Sequence, residues 1–108
     1  MIDYSTTITN VPVQVIPPAP NLRNLMLLSA PGTSIAAGGN GDVVYSFTLT
    51  GAALVPGAPG TFTLVGGQTI QFGEATGQEF GFVPLTALWA VVVRGSSAPL
   101  TALVNNYG

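Results

Sequence analysis

The chain has no lysine, no histidine and no cysteine, and only Asp3, Arg23, Asp42, Glu74, Glu79 and Arg94 carry charge among its 108 residues. Each absence closes off a class of function. Without cysteine there are no disulfides, thiolate nucleophiles or thiolate metal ligands. Without histidine or lysine, the commonest general bases and Schiff-base nucleophiles are missing. Two arginines far apart in sequence cannot build the basic footprint that a phosphate backbone requires, so no nucleic-acid partner is expected. The longest apolar stretch runs from Leu85 to Val93. It falls well short of the about 20 residues of a membrane-spanning helix, and no membrane partner is expected. The start, Met1-Ile2-Asp3-Tyr4-Ser5, has neither a basic nor an apolar leader pattern, so no signal peptide is expected. A soluble domain is usually about one-quarter charged, whereas this chain is 6% charged, 47% hydrophobic and has a net charge of -2. Such a surface is held apart from its neighbours by very little charge. The composition therefore points to a component whose surface is covered in its working state, and away from an enzyme.

Glycine (14) and proline (9) are spread as punctuation between short runs rich in Val, Thr, Phe, Leu and Ile. That pattern predicts an all-β protein: a single jelly-roll-like β-sandwich of about eight short strands. The run from Ser5 to Ile16 carries Val11, Val13 and Val15 in alternation, which is strand period. Pro12 cannot donate to a ladder, so this strand should lie at an edge or begin after Pro12. Pro17 to Pro20 reads as a stiff extended connector. Residues 1–20 are thus expected to form an extended N-terminal arm with a first strand, and residues 21–108 the sandwich. Leu22 to Ser29, confined between Pro20 and Pro31-Gly32, reads as a strand.

Thr33 to Gly41 and Gly51 to Gly60 read as loops. Between them, Tyr45, Phe47 and Leu49 alternate with polar residues and should share one face of a strand. Thr61 to Val65 and Gln68 to Phe72 flank Gly66-Gly67, which predicts a two-residue hairpin because both glycines can take positive φ. Glu74 to Phe82 is a polar turn. Leu88 to Arg94 reads as a central strand and Leu100 to Val104 as the last one. No sustained helical period is present.

Few residues could carry chemistry. Glu74 and Glu79 are the one close carboxylate pair; with Gly, Ala, Thr and Gln around them, solvation of a loop explains them better than acid–base work. Gly38-Gly39-Asn40-Gly41-Asp42 has some features of a calcium loop but a single carboxylate, so Asp42 reads as a loop terminator. No catalytic residue, cofactor or metal is expected. Arg23 and Arg94 are either exposed strand ends or partners of carboxylates across a subunit interface. Trp89 reads as core, with interface anchoring the alternative. Tyr4 and Tyr107, near the termini, are docked on a partner or frayed. Residues through Pro20 suit either an arm laid on a neighbouring subunit or a simple first strand. The candidate interface residues are therefore Tyr4, Val11, Val13, Val15, Arg23, Arg94 and Tyr107.

A longer pattern runs through Pro17 to Pro20, Asn21-Leu22-Arg23-Asn24-Leu25-Met26-Leu27-Leu28, Thr61 to Leu64, Gly66-Gly67 and Gln71-Phe72-Gly73. It continues through Phe82-Val83-Pro84-Leu85-Thr86-Ala87-Leu88-Trp89-Ala90, Gly95 and Leu100 to Val104. In this it resembles the small β-sandwich virion accessory proteins of tailed bacteriophages. The resemblance implies a capsid decoration or cement protein that binds and reinforces the lattice of a major capsid protein. It further implies a symmetric homo-oligomer, a trimer, on the virion surface after assembly in the host cytoplasm. The alternative it carries is a tail, spike or head-fibre component, or a host-adsorption module whose contact surface would be the two Gly-rich loops.

Overall fold

The computed structural model describes residues 1–19, 23–73 and 83–106. Nine strands are assigned in this part of the chain: β1 (Ile2–Asp3), β2 (Thr6–Thr9), β3 (Val13–Ile16), β4 (Arg23–Ser29), β5 (Val43–Ser46), β6 (Phe62–Leu64), β7 (Thr69–Phe72), β8 (Leu88–Val92) and β9 (Ser97–Asn106). They form two antiparallel sheets. The first runs β1–β9–β4–β7, with β2 also on β9; the second runs β3–β8–β5–β6.

β1 and β2 are two parts of one strand. Their register against β9 is unbroken, from Ile2 opposite Val104 to Thr9 opposite Ser97. Taken as one, they pair with the last strand, β3 with β8, β4 with β7, and β5 with β6. This is a long hairpin folded over itself, its successive pairs alternating between sheets. That order is a jelly roll, as the sequence predicts.

Within the described residues 1–19, the segment from Ile2 to Ile16 is paired inside the chain. Ile2 to Thr9 lie in one sheet and Val13 to Ile16 in the other, both paired within the chain. The expected boundary near residue 20 therefore separates no free segment from the sandwich. β3 starts after Pro12 and lies at an edge, as proline requires. The Val11, Val13, Val15 alternation does not survive, because the register shifts between Gln14 and Ile16. The bulge turns Val15 and Ile16 both inward and leaves Val13 exposed.

The Gly66-Gly67 hairpin is the main correction. β6 pairs with β5 and β7 with β4, so the two glycines carry the chain from one sheet to the other. Only Gly67 takes a positive φ, 89°, and the Gln68 amide donates to Val65 O at 2.9 Å. That is a type II turn, which needs one glycine with positive φ. Gly66 is required for room: a Cβ there would lie 2.5 Å from Ser34 N and 2.6 Å from Gly32 O.

β5 is also shorter than its alternation suggests. The Ser46 hydroxyl accepts from the Thr48 and Leu49 amides at 3.1 and 3.0 Å and donates to Gly60 O at 2.8 Å. The chain bends there. Tyr45 joins the main core, with Phe47 packed against it, but Leu49 packs with Val44, Leu54 and Val91 on the outer side of the second sheet. The 51–60 loop supplies Leu54 to that cluster, so both faces of β5 are covered. Trp89 belongs to this outer cluster and is half-buried, not enclosed on both sides.

β8 is central, flanked by β3 and β5. β9 extends further than Leu100 to Val104 because Pro99 is tolerated. Only Thr101 to Asn106 of β9 also pair with β4, so the missing N–H costs no ladder bond. Between the sheets, Ile8, Met26, Leu28, Leu100 and Val104 face Ile16, Val43, Leu64, Leu88 and Val92. A chain of rings, Phe62–Tyr45–Phe47–Phe72, spans the sandwich with centroids 5.4, 5.8 and 5.5 Å apart.

Gly66→Ala must push two backbone segments apart. We expect it to destabilise the domain by about 1–3 kcal/mol in urea unfolding. A loss below about 0.5 kcal/mol would contradict the close packing.

Candidate interaction surface

The outer face of the first sheet is built by period-2 alternation on four adjacent ladders. Residues opposite one another share a face, so Asp3, Leu103, Leu27 and Gln71 form one row across the sheet. Thr101, Ser29 and Thr69 form the next, with Thr69 Oγ1 donating to Ser29 Oγ at 3.0 Å. Leu25 and Asn105 extend it on one side; Thr7 with Pro99 and Thr9 with Ser97 extend it on the other. Leu25, Leu27 and Leu103 are half-buried. Among the described residues of this face, Asp3 is the only charge, and it lies at the rim. No candidate interface residue of the sequence reading falls within its centre. The reason is local: Leu25-Met26-Leu27-Leu28 is continuously apolar and gives no sign of which two side chains face out.

Of the expected interface residues, Arg23 moves furthest from expectation. It is 7% exposed, so it is not a strand-end cation in water, and it pairs with no carboxylate among the described residues. Its guanidinium donates to Pro84 O at 2.9 Å, to Thr86 O at 3.4 Å and to Pro17 O. Pro17 lies between β3 and β4, and Pro84 and Thr86 lie just before β8, so the forked head ties three chain segments at one end of the sandwich. Ala19 N, donating to Leu85 O at 2.8 Å, closes the same corner. Burial pulls the Arg23 pKa below its ordinary value, with Tyr4 acting weakly in the other direction. Tyr4 is half-buried against the core, so it serves the fold before any partner.

Val11 is 66% exposed and Val13 41% exposed, at the edge formed by β3, while Val15 is buried. Val11 and Val13 are therefore available to a partner and Val15 is not. Tyr107, and the Glu74–Glu79 pair, lie outside the described residues.

Arg94 is exposed at the opposite kind of site, a loop end. Its Nε donates to Asn40 Oδ1 at 3.2 Å. Asp42 Oδ1 accepts from Gly66 N at 2.8 Å and from Ile35 N at 3.3 Å, fastening the 33–41 loop to the turn between sheets. It acts as a terminator, as its position in the sequence suggests. Among the described residues no group of three or more acidic, histidine or cysteine side chains gathers, and no helix is long and apolar enough to cross a membrane.

Asp3 Oδ1 accepts from Ser5 N at 2.8 Å. Hydrogen bonds from Ser5, its side chain first and then its amide, hold the Asp3 carboxyl below its usual range. A carboxyl with a depressed folded pKa favours the folded arrangement above its ordinary pKa and loses that contribution as pH falls through the depressed value. The Ser5 amide proton should therefore shift in NMR as Asp3 titrates at low pH, and an Asp3→Ala chain should lose that step. A Ser5 shift that persists in Asp3→Ala would rule out this cap.

For Arg23→Met, three carbonyls lose their donor at once. We expect a loss of about 2–4 kcal/mol in urea unfolding, with Arg23→Lys recovering only part of it. A neutral Arg23→Met would contradict the clamp.

No protein-family model matches this chain, and no curated protein or solved structure matches it either.

Proposed function

We propose that this chain is a structural virion protein of a tailed bacteriophage, a decoration or cement protein that seats the outer face of its first sheet on the major capsid lattice. The observation that carries the reading is the charge-poor character of that face. Among the described residues it carries Thr, Ser and Leu side chains with Gln71, Asn105 and Pro99, and Asp3 is its one charge, at the rim. Covering hydroxyls and leucines costs far less desolvation than covering charges, which must be paired to be buried. Leu25, Leu27 and Leu103 would supply apolar area at about 25 cal/mol per Å², less the cost of ordering. The resemblance to phage accessory proteins supports the same assignment and carries the expectation of a homotrimer.

The alternative, an adsorption module contacting host glycan through the Gly-rich loops, has less support. The 51–60 loop folds onto its own sheet through Leu54, and neither loop holds an aromatic platform for a sugar ring.

The test is retention on particles. Leu27→Lys places a charge at the centre of the face; Val55→Lys places one on the exposed 51–60 loop. We expect Leu27→Lys to abolish co-sedimentation with phage particles lacking the native protein, and Val55→Lys to leave it unchanged. Equal retention of both variants would refute the proposal.

A further inference from the structure

The two sheets present four edges, and three are blunted. β3 follows Pro12 and carries a bulge, β6 spans Phe62–Leu64, and β7 spans Thr69–Phe72. Short edges, prolines and bulges are the usual devices that prevent a strand from templating another chain. The fourth edge is the longest. β1 and β2 follow one register from Ile2 to Thr9, with no proline and Asp3 as the only charge. It is interrupted only at Tyr4–Ser5, where the Ala102 amide donates to Ser5 Oγ at 3.1 Å.

Its open hydrogen-bonding groups can be assigned. Tyr4 N donates to Ala102 O at 2.8 Å, so Tyr4, Thr6 and Ile8 turn their backbone groups toward β9. Asp3, Ser5, Thr7 and Thr9 turn theirs outward. Pro99, opposite Thr7, is consistent with this alternation: its nitrogen points away from β2. The Ser5 donor is held by Asp3. The donors of Thr7 and Thr9 face solvent.

We propose that this edge pairs antiparallel with the same edge of a second copy, Ser5 facing the partner's Thr7 and Asp3 facing the partner's Thr9. An antiparallel edge is complementary to itself, and a two-fold axis satisfies both copies with one set of contacts. In this register every outward residue from Asp3 to Thr9 meets another outward residue. The single charge decides the occupant. Each Asp3 lies beside a partner threonine hydroxyl, and the two carboxylates stand about 20 Å apart, beyond the screening length at physiological salt. An edge with one carboxylate, which needs a partner strand with no acid and a hydroxyl opposite it, finds one in its own copy. Such pairing joins copies two at a time and is compatible with a separate threefold contact. It does not depend on the capsid reading, so either can fail alone.

The experiment is sedimentation equilibrium of the purified chain, with hydrogen exchange at Thr7 and Thr9. Thr7→Pro removes an outward N–H at an edge position where proline is accepted, and should weaken self-association at least about 30-fold without changing the far-UV spectrum. Thr9→Asp leaves the strand intact and keeps a side-chain acceptor. It opposes the partner's Asp3 and should weaken pairing about fivefold, with Asp3→Asn in the same chain restoring it. A dimer that behaves this way, with its Thr7 and Thr9 amides protected, supports the proposal. A chain that stays monomeric at the highest concentration reached overturns it. So does an oligomer of any size that both variants leave intact. Protection of these amides that arises only when a different protein is added assigns the edge to a foreign strand and overturns it too.

Discussion

The pairing of the first strand with the last is the constraint on which the rest of this structure depends. Ile2 to Thr9 lie along Ser97 to Asn106, and β9 is then held on its other side by β4. Once that ladder is closed, every inner strand has a set partner and the sheets alternate down the folded hairpin. The contact joins residues nearly a full chain length apart, so among the described pairings it closes the longest loop and carries the largest closure entropy. The corners are correspondingly tight. Gly66 has backbone against it where a Cβ would lie, and Arg23 fastens three segments at one end of the sandwich.

Three polar side chains at or near the interior are used to serve the backbone. Arg23 serves carbonyl oxygens, Asp42 serves the amides of Ile35 and Gly66, and Ser46 serves two amides and a carbonyl. In each case a side chain completes the backbone's own hydrogen bonding. These are the polar groups that could otherwise have suggested a reactive centre, and each has a structural use. What the chain offers outward is surface: a face of threonine, serine and leucine, and one long open edge. Both follow from the same scarcity of charge.

The fold class and strand count were legible because Gly and Pro punctuate short β-forming runs, and the edge position of β3 followed from Pro12 alone. Pairing was less legible. Gly66-Gly67 has the composition of a hairpin, but the chain uses one positive φ at Gly67 to cross between sheets, a choice made by β4 and β5 elsewhere in the chain. The N-terminal residues carry the composition of an arm, and only the complementary strand near the C-terminus shows them to be part of a sheet. For the candidate surface the signal was weaker still. Arg23 stood out as a rare charge, but rarity cannot distinguish a cation buried among carbonyls from one at an interface. Leu25, Leu27 and Leu103 lie in runs apolar on both faces, so no period marked them as outward.

If, as proposed, this chain is a repeating structural part whose sheet face is covered in a particle, it must be present in particles in many copies. Quantitative mass spectrometry of purified phage particles, measuring this chain against the major shell protein, tests it most directly. A ratio near one, or a simple fraction of it such as one trimer per lattice point, is the expected result. Absence of the chain from purified particles would rule out this role.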